Sequence, residues 1–156
     1  MNMVYQWKDA THAIVDAQIA GEELERIRVR QNGRLDAKDV VDASRPADAP
    51  LHEAFEWDDE TAAEAYRLDQ ARYLIRHIDV VVEKTAADPV AVRAFVSVKR
   101  DEDRSYTSVQ HAMSDVDLRA QVVAAALAEL DAWRKRHAEL VELARIFACI
   151  DQARDA

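Results

Sequence analysis

The stretch IDVVVEKTAADPVAVRAFVSV, residues 78–98, decides the fold class. Before it, apolar residues recur every three or four positions; within it, they recur every two. Ile78, Val80 and Val82 alternate with Asp79 and Glu83, and Val92, Ala94, Val96 and Val98 alternate with Arg93, Phe95 and Ser97. A period of two sends successive side chains to opposite faces of an extended chain, so the spacing predicts strands over about 78–84 and 91–99. KTAADP between them is long enough to close an antiparallel hairpin. KRDEDR (99–104) reads as a charged, solvated turn, and Tyr106 to Val109 as a short third strand or an extended lead into the last helix.

Upstream, the pattern is helical. A helix over about 59–77 is expected to be capped by Asp58 or Asp59, with Glu60 in its first turn, where acids complement the unpaired amide groups and the dipole. Ala63, Tyr66, Tyr73 and Leu74 share one side of it, and Arg67, Arg72 and Arg76 gather toward its end. Pro46 to Pro50 is a linker by composition, and Leu51, Phe55 and Trp57 read as anchors tying it to the core. Ile19, Leu24 and Ile27 mark a helix over about 16–31, ended by Asn32-Gly33. A shorter one over about 36–44 has Asp36 as its cap and Val40 and Val41 as its apolar side, and Ser44-Arg45-Pro46 stops it. Tyr5 and Trp7 are costly to leave in water, so the first dozen residues form an arm that docks.

Downstream, Ser114 with Asp117 approximates a capping box, and no glycine or proline follows as far as Gln152. Val123, Ala126, Leu130, Trp133, His137, Leu140, Ala144 and Phe147 advance by three- and four-residue steps, a heptad-like seam. One continuous helix here would be about 55 Å long, against about 30–35 Å for the body of a domain this size. It must project, bend back, or pack on another chain. Together these readings give an α+β, mostly helical fold: a body over 1–113 with N-terminal helices and a small antiparallel hairpin or three-stranded sheet, then a long amphipathic helix over 114–156 expected to oligomerise.

Composition narrows the function. Of 156 residues only two are glycine and three proline, which disfavours an all-β fold. The net charge of −9 opposes non-specific nucleic-acid binding by the whole surface, since phosphate contacts need cations. Cys149 is the one cysteine, so no internal disulfide forms, and its neighbours Ile146, Phe147 and Ile150 predict a buried, inert thiol. The N-terminus lacks the basic and apolar regions of a secretory signal, and no run approaches the roughly 18 apolar residues of a membrane span. The expectation is a protein of the cytoplasm with no membrane association.

Candidate sites follow from charge and periodicity. Glu53, Glu56, Asp58, Asp59, Glu60 and Glu64 form an acidic cluster with Arg67 as its one base before Asp69. Helix capping on a solvated face is the ordinary account of such a cluster, and an acidic partner-facing surface is the functional one. His52 with Glu56 and Asp58 could be imagined around a metal, but His12, His77, His111 and His137 are scattered, and a local hydrogen bond of His52 beside Pro50 is preferred. No glycine-rich phosphate loop or nucleophile elbow occurs. No catalytic residue, cofactor or metal is therefore assigned. Arg134-Lys135-Arg136-His137 spreads around a helix, where pairing with Asp131, Glu139 and Glu142 is expected. Leu130, Trp133, His137, Leu140 and Phe147 are the interface candidates, with His137 either setting register or reaching water at the boundary.

DAQIAGEELERIR (16–28), GRLDAKDVVDASR (33–45), PLHEAFEWDDETAAEAYRLDQARYLIR (50–76), MSDVDLRAQVV (113–123) and ELARIF (142–147) resemble an uncharacterised family encoded by tailed bacteriophages and prophages. The FEWDD-to-LIR block is the most specific part. The resemblance implies a viral or prophage origin and action in the cytoplasm of a bacterial host, with no catalytic residues to carry over. The leading expectation is a non-enzymatic interaction or assembly module, a homodimer through its C-terminal helix, with a host or phage protein as a possible partner. A winged-helix DNA binder is the first alternative: the element order fits, but acids at the start of the third helix would repel phosphate. An acidic, DNA-mimicking inhibitor of a host defence or nucleic-acid enzyme is the second.

Overall fold

A computed structural model of the chain describes residues 3–8, 14–60, 63–82 and 88–156. The expected hairpin loop falls mostly outside these residues, as do Glu83 and His12. The chain is mostly helical with two small antiparallel sheets, the α+β class that the change of period predicts. Its elements are β1 (Val4–Trp7), α1 (Ala17–Arg30), α2 (Ala37–Ser44), α3 (Glu64–His77), β2 (Ile78–Val82), β3 (Val90–Arg93), β4 (Phe95–Arg100), β5 (Asp103–Ser108), α4 (Val109–Ser114), α5 (Val116–Arg136) and α6 (Ala144–Asp155). Short 3₁₀ turns at His52–Ala54 and Val141–Leu143 interrupt the connections.

The strand period is borne out, with one subdivision. The alternating run 91–99 is two strands, because a bend at Ala94 sends the chain from one sheet to the other. β3 pairs with β2, matching Val80 with Val92, while β4 pairs with β5, matching Val96 with Thr107. Ala94 joins the two, donating to the Ile78 carbonyl at 3.1 Å and accepting from the Val109 amide at 2.9 Å. KRDEDR contributes only Asp101-Glu102 to the turn; its flanks extend β4 and β5. Asp101 takes a positive φ of 55°, which a short polar side chain tolerates.

The N-terminal arm docks as a strand, which periodicity over four residues could not reveal. β1 pairs with β2, so β2 is the centre of the order β1-β2-β3. Gln18 on α1 clips the arm in place: its Oε1 accepts from the Tyr5 amide at 3.0 Å and its Nε2 donates to the Met3 carbonyl at 2.8 Å. The Tyr5 ring then lies directly against Gly21, where a Cβ would collide with it.

α1 begins on Asp16, whose carboxylate accepts from the Gln18 and Ile19 amides, and ends at Asn32 and Gly33, both with positive φ. Leu24 and Ile27 are buried, but Ile19 is half exposed, its place on the inner face taken by Ala20. α2 starts after Asp36 as expected, although that side chain makes no capping bond. The main core gathers Leu24, Ile27, Leu35, Val40, Val41, Leu51, Phe55, Ile75, Ile78 and Phe95.

Four expectations for helices are corrected. α3 starts at Glu64, after Ala63, so neither Asp58 nor Asp59 caps it. Its buried face is Arg67, Ala71, Leu74 and Ile75, with Tyr66 and Tyr73 outward, because a tyrosine can keep its ring edge wet where an alanine fits the close approach. Ser114 ends α4 instead of opening the last helix; Asp115 is the cap of α5, accepting from the Leu118 amide at 2.9 Å. The single long helix is two helices. The chain turns through His137–Leu143, and α6 returns along α5.

Candidate functional site

α5 is anchored to the body only at its beginning. Leu118 joins Val96, Val98 and Ala112 in a second small core, with Val122 against it. Gln121 completes the anchorage by holding the Lys99 backbone from both sides, accepting from its amide at 2.8 Å and donating to its carbonyl at 2.9 Å. Three to four residues per turn then put Val116, Ala120, Val123 and Leu127 on the side away from Leu118 and Val122. That side meets no other element strongly. Val116 is 84 % and Val123 49 % exposed. Val116, Arg119, Ala120, Val123, Ala124 and Leu127 line one shallow groove there, in which Arg119 is the only polar residue. A second groove farther along α5 contains Ala126, Leu130 and Trp133.

The hairpin of α5 and α6 is closed by an aromatic cluster and a charge ladder. The Trp133 ring meets Phe147 edge-on, centroids 5.8 Å apart, and the His137 ring is tilted against it at 5.3 Å. The Arg134 guanidinium sits 5.8 Å from the Phe147 centroid and pairs with Asp151. Lys135 pairs with Asp131 at 2.8 Å, one helical turn away as expected, and holds that carboxyl below its usual range. Ile150 is the buried apolar residue of α6. Cys149, its neighbour, is exposed, contrary to the buried thiol that the surrounding apolar residues predict. On a helix, adjacent residues point about 100° apart, so apolar neighbours in sequence do not bury a residue.

The five interface candidates are therefore divided. Trp133, His137 and Phe147 come together within one chain, whereas Leu130 and Leu140 remain about two-fifths exposed. The fold-back is onto α5. The free stripe through Val116 and Ala120 extends the seam upstream of Val123 at the same three- and four-residue spacing.

The acidic segment organises itself around arginine. Arg67 is buried, and its guanidinium reaches Asp59 at 2.8 Å, Glu64 at 3.2 Å and the Glu56 carbonyl at 3.4 Å. Glu64 also accepts two bonds from Arg45, at 2.9 and 3.0 Å, which hold its carboxyl below the usual range. Arg45 and Arg67 both approach the Trp57 ring, at 5.8 and 5.7 Å. That ring is fixed by its Nε1 donating to the His52 carbonyl at 2.8 Å and by stacking on the His52 imidazole. His52 makes the expected local bond, donating from Nδ1 to the Ser44 carbonyl at 2.9 Å. Phe55 is a buried anchor and Trp57 a half-buried one. Glu53, Asp58 and Glu60 point outward, and Glu56 is half-buried. Asp58 closes the local turn by accepting from the Glu60 amide at 2.9 Å. Arg45, read in the sequence only as part of the Ser44-Arg45-Pro46 helix stop, is the partner that the sequence did not disclose.

Among the described residues no helix is long and apolar enough to cross a membrane, and no three His, Cys, Asp or Glu side chains are grouped to hold a metal. No protein-family profile, no curated protein and no solved structure matches the chain.

Proposed function

We propose that the chain is a non-enzymatic interaction module that pairs with a second copy of itself through the uncovered side of α5. The stripe of exposed Val116, Ala120 and Val123 with half-buried Leu127 carries this reading. Each such side chain gains about 1.5–3 kcal/mol on full burial if it is large, so an uncovered row is a cost that pairing removes. A second copy is the occupant that the surface favours. Arg119 is the only polar residue of the groove, so the same apolar row on another chain covers it without burying an unpaired charge. One patch serving both sides is the self-complementarity that a two-fold interface requires. The resemblance noted in the sequence supports a phage or prophage protein acting in a bacterial host.

Ala120→Glu combined with Val123→Glu puts two charges on the stripe without touching the α5–α6 contacts. The variant should keep its helical circular dichroism and have the mass of one chain by light scattering, where the unaltered protein has that of two. Equal masses for both proteins would overturn the assignment of this face.

A further inference from the structure

We propose that the cleft between α2, α3 and the β4–β5 hairpin binds the phosphodiester backbone of duplex DNA. The observation is a concentration of cations against the charge of the molecule. The chain is −9 overall, yet Lys38, Arg72 and Arg104 line this cleft of about 380 Å³ against a single carboxylate, Asp36. Ser97, Ser105 and Tyr106 add hydroxyls to the same walls. Arg76, one turn beyond Arg72, reaches into the group by donating from Nε to the Tyr106 hydroxyl at 3.3 Å.

Two of these guanidiniums are held by hydroxyls. Arg104 donates to the Ser97 hydroxyl at 3.4 Å and Arg76 to the Tyr106 hydroxyl at 3.3 Å, and among the described residues neither is in an ion pair with a carboxylate. Arg72 and Lys38 are paired with Asp69 and Asp42, but both are exposed i,i+3 or i,i+4 pairs. Such pairs contribute little and exchange readily for a phosphate.

The fold spreads these cations along a surface. Leu35, between α1 and α2, bridges Tyr106 of β5 through two backbone bonds of 2.8 and 3.0 Å, which fixes the hairpin beside the start of α2. α2 packs on α3, so the three cation-bearing elements form one wall. On β4 and β5, Ser97, Lys99, Arg104 and Tyr106 share a face because Ser97 pairs with Tyr106 and Lys99 with Arg104. An extended row of cations from separate elements suits a chain of phosphates better than one small anion. The start of α3 carries Glu64 and exposes Asp69, so the helix is repelled from the groove and the contact reads backbone, with little sequence preference. This site shares no residue with the α5 stripe, and the two readings stand or fall separately.

The test is fluorescence anisotropy of a labelled duplex of about 20 base pairs and arbitrary sequence. We expect saturable binding by the full chain at about 50 mM salt, weakened more than about tenfold at about 200 mM, as release of counterions from several phosphates requires. Arg76→Glu with Arg104→Glu should lose binding by more than tenfold, and the milder Arg104→Gln by about threefold, with circular dichroism unchanged. Arg145→Glu, exposed on α6 and away from both surfaces, should bind as the unaltered chain does. Absent binding at low salt, binding indifferent to salt, or equal loss in Arg145→Glu would overturn the proposal.

Discussion

The C-terminal helical hairpin is richer in apolar residues than the body, yet it buries far fewer of them. In the body, Leu24, Leu35, Val40, Val41, Leu51, Ile75 and Ile78 are wholly excluded from water. From Val116 to Ala156, Leu118 and Ile150 are the only buried apolar side chains, while Val116, Val123, Leu130, Leu140, Val141 and Ile146 are exposed. Among the described residues the body has five strands and four helices to cover one another, whereas α5 beyond Val122 has only α6. Apolar spacing states that a face needs covering. It does not state whether the cover comes from the same chain.

The largest effect should separate the two regions directly. Phe95 is fully buried in the main core, so Phe95→Ala should cost about 3–5 kcal/mol in urea denaturation. Phe147→Ala should cost clearly less, because Phe147 is half-buried and touches chiefly Trp133 and Arg134. Its effect should appear as faster amide exchange in α6 with the body unchanged. Equal losses from the two substitutions would show that the hairpin is as integral as the core.

A smaller effect with a revealing sign is expected at Gly21. Inside an exposed helix, glycine to alanine gains about 1 kcal/mol. Here the new methyl meets the Tyr5 ring, and overpacking costs about 1–3 kcal/mol, so Gly21→Ala should lower the melting temperature. A rise would mean that β1 is not seated on α1. The smallest effect concerns acid. Glu64 is held below its usual pKa by Arg45 first and Arg67 second. A depressed carboxylate contributes stability above its unfolded pKa and loses it as pH falls through its folded one. The urea midpoint should therefore fall as pH drops from about 5 toward 3, and Glu64→Gln should flatten that decline. An unaltered slope would remove Glu64 from the Arg45–Trp57–Arg67 arrangement.

What the sequence discloses is the local part of this structure. The switch from a three-to-four spacing to a two spacing at Ile78 locates the strands, and Asn32-Gly33 and Pro46 stop the helices where the chain turns. The failures are non-local. Asp58 and Asp59 resemble caps because acids favour helix starts, but the buried Arg67 draws Asp59 away and α3 begins later. The turn at His137–Leu143 contains no glycine or proline to announce it, and it forms because Phe147 returns to Trp133. The cleft cations are scattered from Lys38 to Arg104 and become a group only when Leu35 meets Tyr106. The acidic segment was legible as a cluster, and its division into an arginine knot and an outward rim was not.

Light scattering of the unaltered chain across micromolar concentrations tests the central claim, that α5 leaves a face for a second copy. The account predicts a mass of twice 17.7 kDa that falls toward 17.7 kDa only on dilution. A mass of 17.7 kDa throughout would contradict it, and the exposed stripe from Val116 to Leu127 would then belong to a monomer.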